Sequence, residues 1–281
     1  MTPASRFAGI LGWPLDKTLS PVIHTAAFQR TGVDGVYLEW PVPPEQLAAA
    51  IDGLRALGAL GANITMPHKE EVVHLMDALA PEVERVGAVN TIVCAARQLT
   101  GHNTDVSGFG DWLEEDAGVP IAGGSALVLG SGGAARAVVC ALADRGAERI
   151  AVAARRPAKA EAVAELAAPS GEVVAWEEAE ETAGGVSLVV NATPLGREGQ
   201  LLLPGARWRP GQVVVDLLYE PPTTPLVEAA RRSGAQGWGG LGMLVRQAAE
   251  SFRLWTGRLA PVNAMSAAAV HALGTRSRRP T

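Results

Sequence analysis

The stretch from Ser125 to Gly146 restricts the fold more than any other part of the chain. An apolar segment, SALVLG, runs directly into SGGAA, and a helix-compatible segment from Ala134 to Arg145 follows, closed by Gly146. Gly130, Gly132 and Ala135 therefore stand as G-x-G-x-x-A between a strand and a helix, the context that a dinucleotide-binding turn requires. Gly130 permits the tight turn, Gly132 lets the backbone approach a pyrophosphate, and Ala135 lets helix and strand lie close. The helix N-terminus offers unpaired amides to the phosphates. A plain glycine-rich turn has the same spacing, so the neighbouring segments must decide.

They extend the pattern. RIAVAA, EVVAW, VSLVVN and VVVDLLY read as further strands, with a helix around Ala158 to Ala167; this is the alternation of a doubly wound α/β unit. Where the ribose 2'-hydroxyl is free, the second strand of such a unit ends in Asp or Glu. Here it ends in Arg155 and Arg156, with Lys159 close behind. Guanidinium forks bind a phosphate monoester and an acid repels it, so these residues favour NADP over NAD. Two Arg beside Pro157 also suit a solvated helix start. Asn191, Ala192 and Thr193 fall at the carboxyl end of another strand, where open α/β sheets hold ligands.

The first hundred residues show the same alternation. FAGILG, VYLEWPV, ANIT and GAVNTIV read as strands, and residues 20–30, 44–57 and 67–79 as helices, two of them opening on Pro at the tolerated first-turn position. This is an α/β layer on a mostly parallel sheet. QLTGHNTD (98–105) reads as a loop, followed by a helix near Gly108 to Asp116 and a turn-rich stretch at 117–125. Helical segments at 241–256 and 263–273 close the chain, and the last residues, RSRRPT, read as frayed.

A length of 281 residues suits two domains. The net charge of −5 gives no footprint for nucleic acid or anionic lipid, no apolar run is long enough to span a bilayer, and no signal segment opens the chain. The expectation is a cytoplasmic protein whose partners are small molecules, as a monomer or homodimer. Cys94 and Cys140 sit in apolar segments and read as buried thiols. The five histidines show no metal-ligand spacing, so no metal site is expected.

Of 24 basic residues 21 are Arg; only Lys17, Lys69 and Lys159 are Lys. Lys69 follows the strand ANIT, which leaves Asn63 and Thr65 at its end. The reading of 67–79 as a helix puts Lys69 in the first turn, where the helix dipole disfavours a cation and a titratable ammonium becomes useful for proton transfer. A solvated Lys on a helix is the bland alternative. Asp105 is a carboxylate to pair with it, or a cap for the next helix. Thr18 and Ser20 offer hydroxyls at the end of the first strand, suited to a substrate carboxylate, and Ser20 before Pro21 also suits an N-cap. His68 is adjacent to Lys69 but not on its face, and reads as structural.

Eight segments together resemble the shikimate dehydrogenase family: GWPLDKTLSP (12–21), GANITMPHK (61–69), GAVNT (87–91), GHNTD (101–105), GSGGAA (130–135), NATPLG (191–196), VDLLY (215–219) and GGLGMLVRQAAE (239–250). The resemblance spans nearly the whole chain. It implies reversible, NADPH-dependent reduction of 3-dehydroshikimate to shikimate, on the way to chorismate and the aromatic amino acids, with a quinate- or aminoshikimate-oxidising paralogue as the alternative; a non-catalytic dinucleotide-binding sensor on the same fold is the remote one, which intact Lys69, Asp105 and Gln247 argue against. It implies a substrate-binding domain over residues 1–105, completed by the helices of 241–281, and a Rossmann-type NADP-binding domain over 106–240. Lys69 and Asp105 are then the catalytic pair. Thr18 and Ser20 bind the carboxylate, and Asn63, Thr65, Asn90, Asp105, Tyr219 and Gln247 hold the ring hydroxyls. Gly130, Ser131, Gly132, Gly133 and Ala134 take the pyrophosphate, Arg155, Arg156 and Lys159 the 2'-phosphate, and Thr193, Leu217, Gly240 and Met243 surround the nicotinamide end. Two departures stand out: Thr18-Leu19-Ser20 replaces the family's usual Ser-x-Ser, and Ala154-Arg155-Arg156 replaces Asn-Arg-Thr.

Overall fold

The computed structural model describes residues 6–15 and 18–276; Lys17 and residues 277–281 lie outside them. The chain divides into two units, one made of the residues up to Gly108 together with those from Val245 onward, the other of Phe109–Leu244. Both divisions fall inside helices, a few residues beyond the 105/106 and 240/241 boundaries expected from sequence.

The first unit holds a six-stranded sheet of order β2-β1-β3-β5-β6-β4, with β1 at Arg6–Gly12, β2 at Gly35–Pro41, β3 at Gly61–Ile64, β4 at Ala78–Leu79, β5 at Thr91–Ala95 and β6 at Gln98–His102. Strand β1 runs parallel to β2 and β3, whereas β5 is antiparallel to both β3 and β6. The helices are α1 (Ser20–Thr31), α2 (Leu47–Leu57), α3 (Pro81–Val86), α4 (Thr104–Asp111), which runs on past the division, most of α9 (Leu241–Thr256) and α10 (Val262–Arg276). Helix α2 buries Leu47, Ile51 and Leu54, a one-face spacing, against Leu11, Ile64 and Ile92 of the sheet. This alternation of parallel and antiparallel neighbours brings the C-terminal ends of β1, β3 and β6 and the N-terminal end of β5 to one edge.

Four expectations are corrected here. Residues 67–79 do not form a helix: turns lead into a 3-10 segment at Glu71–Leu75 and then strand β4. Asp77 donates its amide to Leu99 O at 3.0 Å and accepts Leu99 N–H at 2.7 Å, so pairing with the sheet overrides the apolar periodicity. Residues 98–102 are strand rather than loop, because Ala96 and Arg97 both adopt positive φ, 50° and 64°, and turn β5 back on itself. Helix α4 starts at Thr104, not near Gly108, with the Asn103 side chain accepting the Asp105 amide at 3.2 Å. Strand β5 begins at Thr91 rather than Gly87, which instead ends α3 in a left-handed conformation.

The second unit is a wholly parallel six-stranded sheet, ordered β12-β11-β10-β7-β8-β9. Its strands are β7 (Ser125–Leu129), β8 (Arg149–Ala153), β9 (Gly171–Val174), β10 (Leu188–Asn191), β11 (Val213–Asp216) and β12 (Gln236–Gly239), with α5 (Gly133–Asp144), α6 (Pro157–Ala164), α7 (Ala179–Gly185) and α8 (Pro225–Arg232) between them. Both faces are covered, so Leu127, Leu129, Ala151, Ala153, Val189 and Val214 form a continuous apolar layer. The strand order reverses between β7 and β10, the switch point at which doubly wound sheets bind ligands. A single turn of π-helix, Trp112–Asp116, follows α4. Among the described residues no helix is long and apolar enough to cross a membrane.

Candidate active site

In the first unit the sheet edge gathers Lys69, Asn90, Asp105 and Gln247. Lys69 lies in the turns after β3, and its Nζ is 2.6 Å from Asp105 Oδ2. The expected placement in a helix first turn is therefore wrong, and what holds the ammonium is an ion pair with a carboxylate whose side chain is only 8% exposed. Asp105 is not a cap; Asn103 fills that role. Asn90, between α3 and β5, donates Nδ2 to Asp105 Oδ1 at 2.8 Å and to Thr104 Oγ1 at 3.0 Å, and its Oδ1 accepts Thr104 N–H at 2.7 Å. Gln247 Oε1 on α9 lies 3.5 Å from both Asn90 Nδ2 and Thr104 Oγ1. Asp105 thus has one oxygen on the ammonium and the other on an amide, which fixes its orientation.

Asn63 stands at the end of β3 as expected and carries several hydrogen bonds. Its Nδ2 is 3.3 Å from Asn90 O, 3.1 Å from Thr91 Oγ1 and 3.0 Å from Ser251 Oγ, and its Oδ1 accepts from Tyr37 Oη at 2.7 Å. Through these bonds Asn63 braces β3, β5 and α9. Thr65 sits beside the loop after β1: its methyl lies 2.4 Å from where a Cβ on Gly12 would stand, which only glycine permits. In that loop Thr18 Oγ1 donates to Ser20 Oγ at 3.2 Å and accepts Ser20 N–H at 3.1 Å. Leu19, not Ser20, occupies the N-cap of α1, which corrects the capping role given to Ser20. Arg276 Nη2 holds Thr18 O at 2.8 Å. His68 is buried with Nε2 on Val42 O at 2.7 Å, a structural residue as expected.

Thr91, Thr104, Ser251 and Tyr37 escaped the sequence reading. Ser251 had a signal, since it is four residues beyond Gln247 and shares its helix face.

In the second unit the G-x-G-x-x-A segment turns from β7 into α5 with Gly130 at φ 121°. A Cβ there would stand 3.0 Å from Ala192 O, so the glycine lets this turn close on the loop after β10. The first helical hydrogen bond of α5 runs from Arg136 N–H to Gly132 O, and the amides of Gly133, Ala134 and Ala135 have no helical acceptor behind them. Beyond Gly132 a Cβ would meet nothing within 4 Å. Such a cradle of free amides beside open space fits a pyrophosphate. Arg155, Arg156 and Lys159 follow β8, all exposed, and among the described residues none has an ion-pair partner.

Thr193 follows β10, with N–H and Oγ1 both on Asn191 Oδ1, at 3.0 and 2.7 Å. Asn191 Nδ2 donates in turn to Asp216 Oδ1 at 3.0 Å, and Thr224 Oγ1 to Asp216 Oδ2 at 2.7 Å. Burial raises the Asp216 carboxyl above the usual range, against the opposing hydrogen bonds of Thr224, Leu218 and Asn191. Leu217 follows Asp216, and a Cβ on Gly240 would stand 2.0 Å from Leu217 O, so the ends of β11 and β12 meet closely at a glycine. Met243 is buried in the first turn of α9, and Tyr219 lies half-buried after β11. The residues expected at the pyrophosphate, 2'-phosphate and nicotinamide, with Tyr219, belong to the second unit; Thr18, Ser20, Asn63, Thr65, Lys69, Asn90, Asp105 and Gln247 belong to the first.

A Rossmann-type unit with free cations after its second strand, in one chain with a Lys–Asp pair set among amides and hydroxyls, is the equipment of a nicotinamide-dependent oxidoreductase. Residues 10–92 match the family model described as the shikimate dehydrogenase substrate binding domain, and residues 240–270 that of the shikimate 5'-dehydrogenase C-terminal domain. The NADP(+)-dependent shikimate dehydrogenase of Moorella thermoacetica is 45% identical over 99% of this chain and 97% of its own. The crystal structure of the Thermus thermophilus shikimate 5-dehydrogenase with NADP(H) and shikimate superposes with a TM-score of 0.84 at 38% identity, covering 95% of this chain and 100% of that one. Quinate dehydrogenase from Corynebacterium glutamicum, solved with NAD, is also similar, at TM-score 0.85 and 32% identity over 95% of this chain and 99% of that one. The chain belongs to the shikimate dehydrogenase family.

Proposed function

We propose that this protein is an NADP-dependent shikimate dehydrogenase of the cytosol, interconverting shikimate and 3-dehydroshikimate. The observation that carries the reading is the Lys69–Asp105 pair at 2.6 Å, with Asn90 on the second carboxylate oxygen. Bound NADP supplies or accepts the hydride. Lys69 exchanges the proton at the reacting oxygen, Asp105 holds the ammonium in position, and Asn90 and Gln247 are assigned to the neighbouring ring hydroxyls. Thr65 lies on the same edge. Asn63 braces that edge and is assigned to the ring hydroxyls as well. Thr18 and Ser20 present hydroxyl donors to the carboxylate, and Tyr219, from the second unit, is assigned to the substrate as well. Gly130 to Ala134 receive the pyrophosphate, and Thr193, Leu217, Gly240 and Met243 lie at the nicotinamide end.

The test is absorbance of the reduced nicotinamide with purified protein, offering shikimate or quinate as substrate and NADP or NAD as acceptor. Turnover of shikimate with NADP, far above the other three pairings, is the expected result. Faster turnover of quinate, or of NAD, sinks the assignment in favour of the paralogous activity.

Arg155 and Arg156 give a sharper check on the cofactor. Charge-assisted hydrogen bonds contribute about 1.5–3 kcal/mol each, so Arg155→Ala or Arg156→Ala, each losing one such bond, raises KM for NADP about 10- to 100-fold. KM for NAD stays nearly unchanged. Equal losses for both cofactors would show that these side chains do not bind the 2'-phosphate.

A further inference from the structure

Two buried residues of the segments NATPLG and VDLLY have been given no role so far: Asn191, fully enclosed, and Asp216, 1% exposed. They stand opposite each other in register at the ends of the parallel strands β10 and β11. Thr193 and Leu217, both assigned to the nicotinamide end, follow them within two residues.

The direction of each bond follows from partners that have no choice. The Thr193 N–H can only donate, so the end of the Asn191 amide that meets it at 3.0 Å is the oxygen. Leu195 O can only accept, so the end 3.1 Å from it is the NH2 group, which also donates to Asp216 Oδ1 at 3.0 Å. The Leu218 N–H donates to that same carboxylate oxygen at 3.1 Å. Thr224 Oγ1, at the N-cap of α8, donates to Oδ2 at 2.7 Å. Oδ2 is thus tied to a helix cap, whereas Oδ1 holds two loops at once. Through Asn191 it fixes Thr193, whose Oγ1 donates to Asn191 Oδ1 at 2.7 Å and receives Leu195 N–H at 3.2 Å. Through the Leu218 amide it sets the turn that carries Leu217, whose own N–H is on Asn191 O at 2.9 Å. All of these residues lie in the second unit.

We propose that Asp216 is a positioning residue for the nicotinamide end of the cofactor: its Oδ1, the shared acceptor of Asn191 and Leu218, holds the loops after β10 and β11 in one arrangement, so that Thr193 and Leu217 present a preformed seat. Asp216 does not touch the cofactor; it acts through its two neighbours. This inference rests on the assignment of Thr193 and Leu217 to the nicotinamide end of NADP.

The test sets NADP against 2'-phospho-ADP-ribose, the same nucleotide without its nicotinamide ring, in Asp216→Ala and Asp216→Asn proteins. Asp216→Ala removes the shared acceptor. It is expected to lower kcat for shikimate oxidation, per site titrated with 2'-phospho-ADP-ribose, about 10- to 100-fold, the loss that follows a displacement of about 1 Å at a reacting group. The inhibition constant of 2'-phospho-ADP-ribose stays unchanged, whereas a general support of the unit would weaken both nucleotides together. Asp216→Asn can place its amide oxygen at the Oδ1 position and turn its NH2 toward Thr224 Oγ1, so it restores kcat. Unchanged kcat in a folded Asp216→Ala protein, equal weakening of the two nucleotides, or an Asp216→Asn protein as impaired as Asp216→Ala would each overturn the proposal. Because Asp216→Ala leaves three donors unpaired, Asn191→Leu serves as a second variant; it roughly conserves volume, cuts the link at its other end and carries the same expectation. If neither variant folds well enough to bind 2'-phospho-ADP-ribose, Asp216 supports the whole unit and the proposal is overturned as well. The unaltered protein separates the two failures. Absence of shikimate oxidation with NADP sinks the functional reading itself; normal turnover with a silent Asp216 sinks only this inference.

Discussion

Lys69→Ala is expected to lower kcat for shikimate oxidation about 10²- to 10⁴-fold, the range for loss of a positioned general acid or base, with a much smaller change in KM for NADP. The residues proposed to bind the nucleotide sit in the other unit, so cofactor affinity serves as an internal control for folding. Asp105 keeps the Asn90 amide on Oδ1 at 2.8 Å after the ammonium is gone, and so retains one of its two anchors. Exogenous primary amines discriminate between the roles open to Lys69. If the side chain transfers a proton, amines of graded basicity restore turnover to an extent that follows their pKa. If it only polarises the carbonyl oxygen, rescue depends on size and charge alone. Retention of wild-type kcat by a folded Lys69→Ala protein would remove Lys69 from the mechanism.

The second large effect concerns acid stability. His24 is fully buried on α1, neither ring nitrogen makes a hydrogen bond, and Tyr37 and Trp255 flank the imidazole at 4.3 and 5.1 Å. Burial lowers its pKa from 6.5 to about 3, the nearby Asn63 side chain offsetting this only in part. The unfolded chain therefore binds a proton near pH 6.5 that the folded chain refuses until about pH 3. Its stability contribution is intact above pH 6.5 and is lost as pH falls. At about 1.36 kcal/mol per pH unit the loss is about 2 kcal/mol at pH 5 and on the order of 5 kcal/mol at the lower limit. His24→Phe keeps a flat ring between the same neighbours and leaves no polar atom unpaired, so it should flatten the acid limb without cost at neutral pH. Urea melts of both proteins between pH 7 and pH 4.5 measure the difference; parallel stability curves would show that His24 is not the group responsible.

Legibility in the sequence followed the range of the interactions. The turn at Gly130 was readable because strand, turn and helix are consecutive and each glycine answers a local steric demand. Asn90, Asp105 and Lys69 were recoverable as a set through family resemblance, yet the local argument for Lys69 failed: the helix assumed for residues 67–79 gives way to a 3-10 segment and a short strand paired through Asp77 and Leu99. Strand β6 was hidden because its turn uses Ala96 and Arg97 at positive φ, where Gly or Asn would have announced a hairpin. Asn63 was assigned to the ring hydroxyls through the same family resemblance. Its partners Tyr37 and Ser251 come from distant segments, and no spacing reveals the brace they make with it.

The first unit is assembled from both ends of the described chain, whereas the second is one uninterrupted stretch. During synthesis the second unit is complete once Leu244 has left the ribosome. At that moment Asn63 and Thr91 still lack Ser251, and Asn90 and Thr104 lack Gln247. The edge that carries Lys69 and Asp105 thus waits for helix α9, and the nascent chain has a finished Rossmann-type fold well before its proposed proton-transfer site is fully braced. A lesion in α9 such as Ser251→Pro would therefore strand a chain with an intact Rossmann unit and an unfinished partner, a form that retains cofactor affinity without turnover.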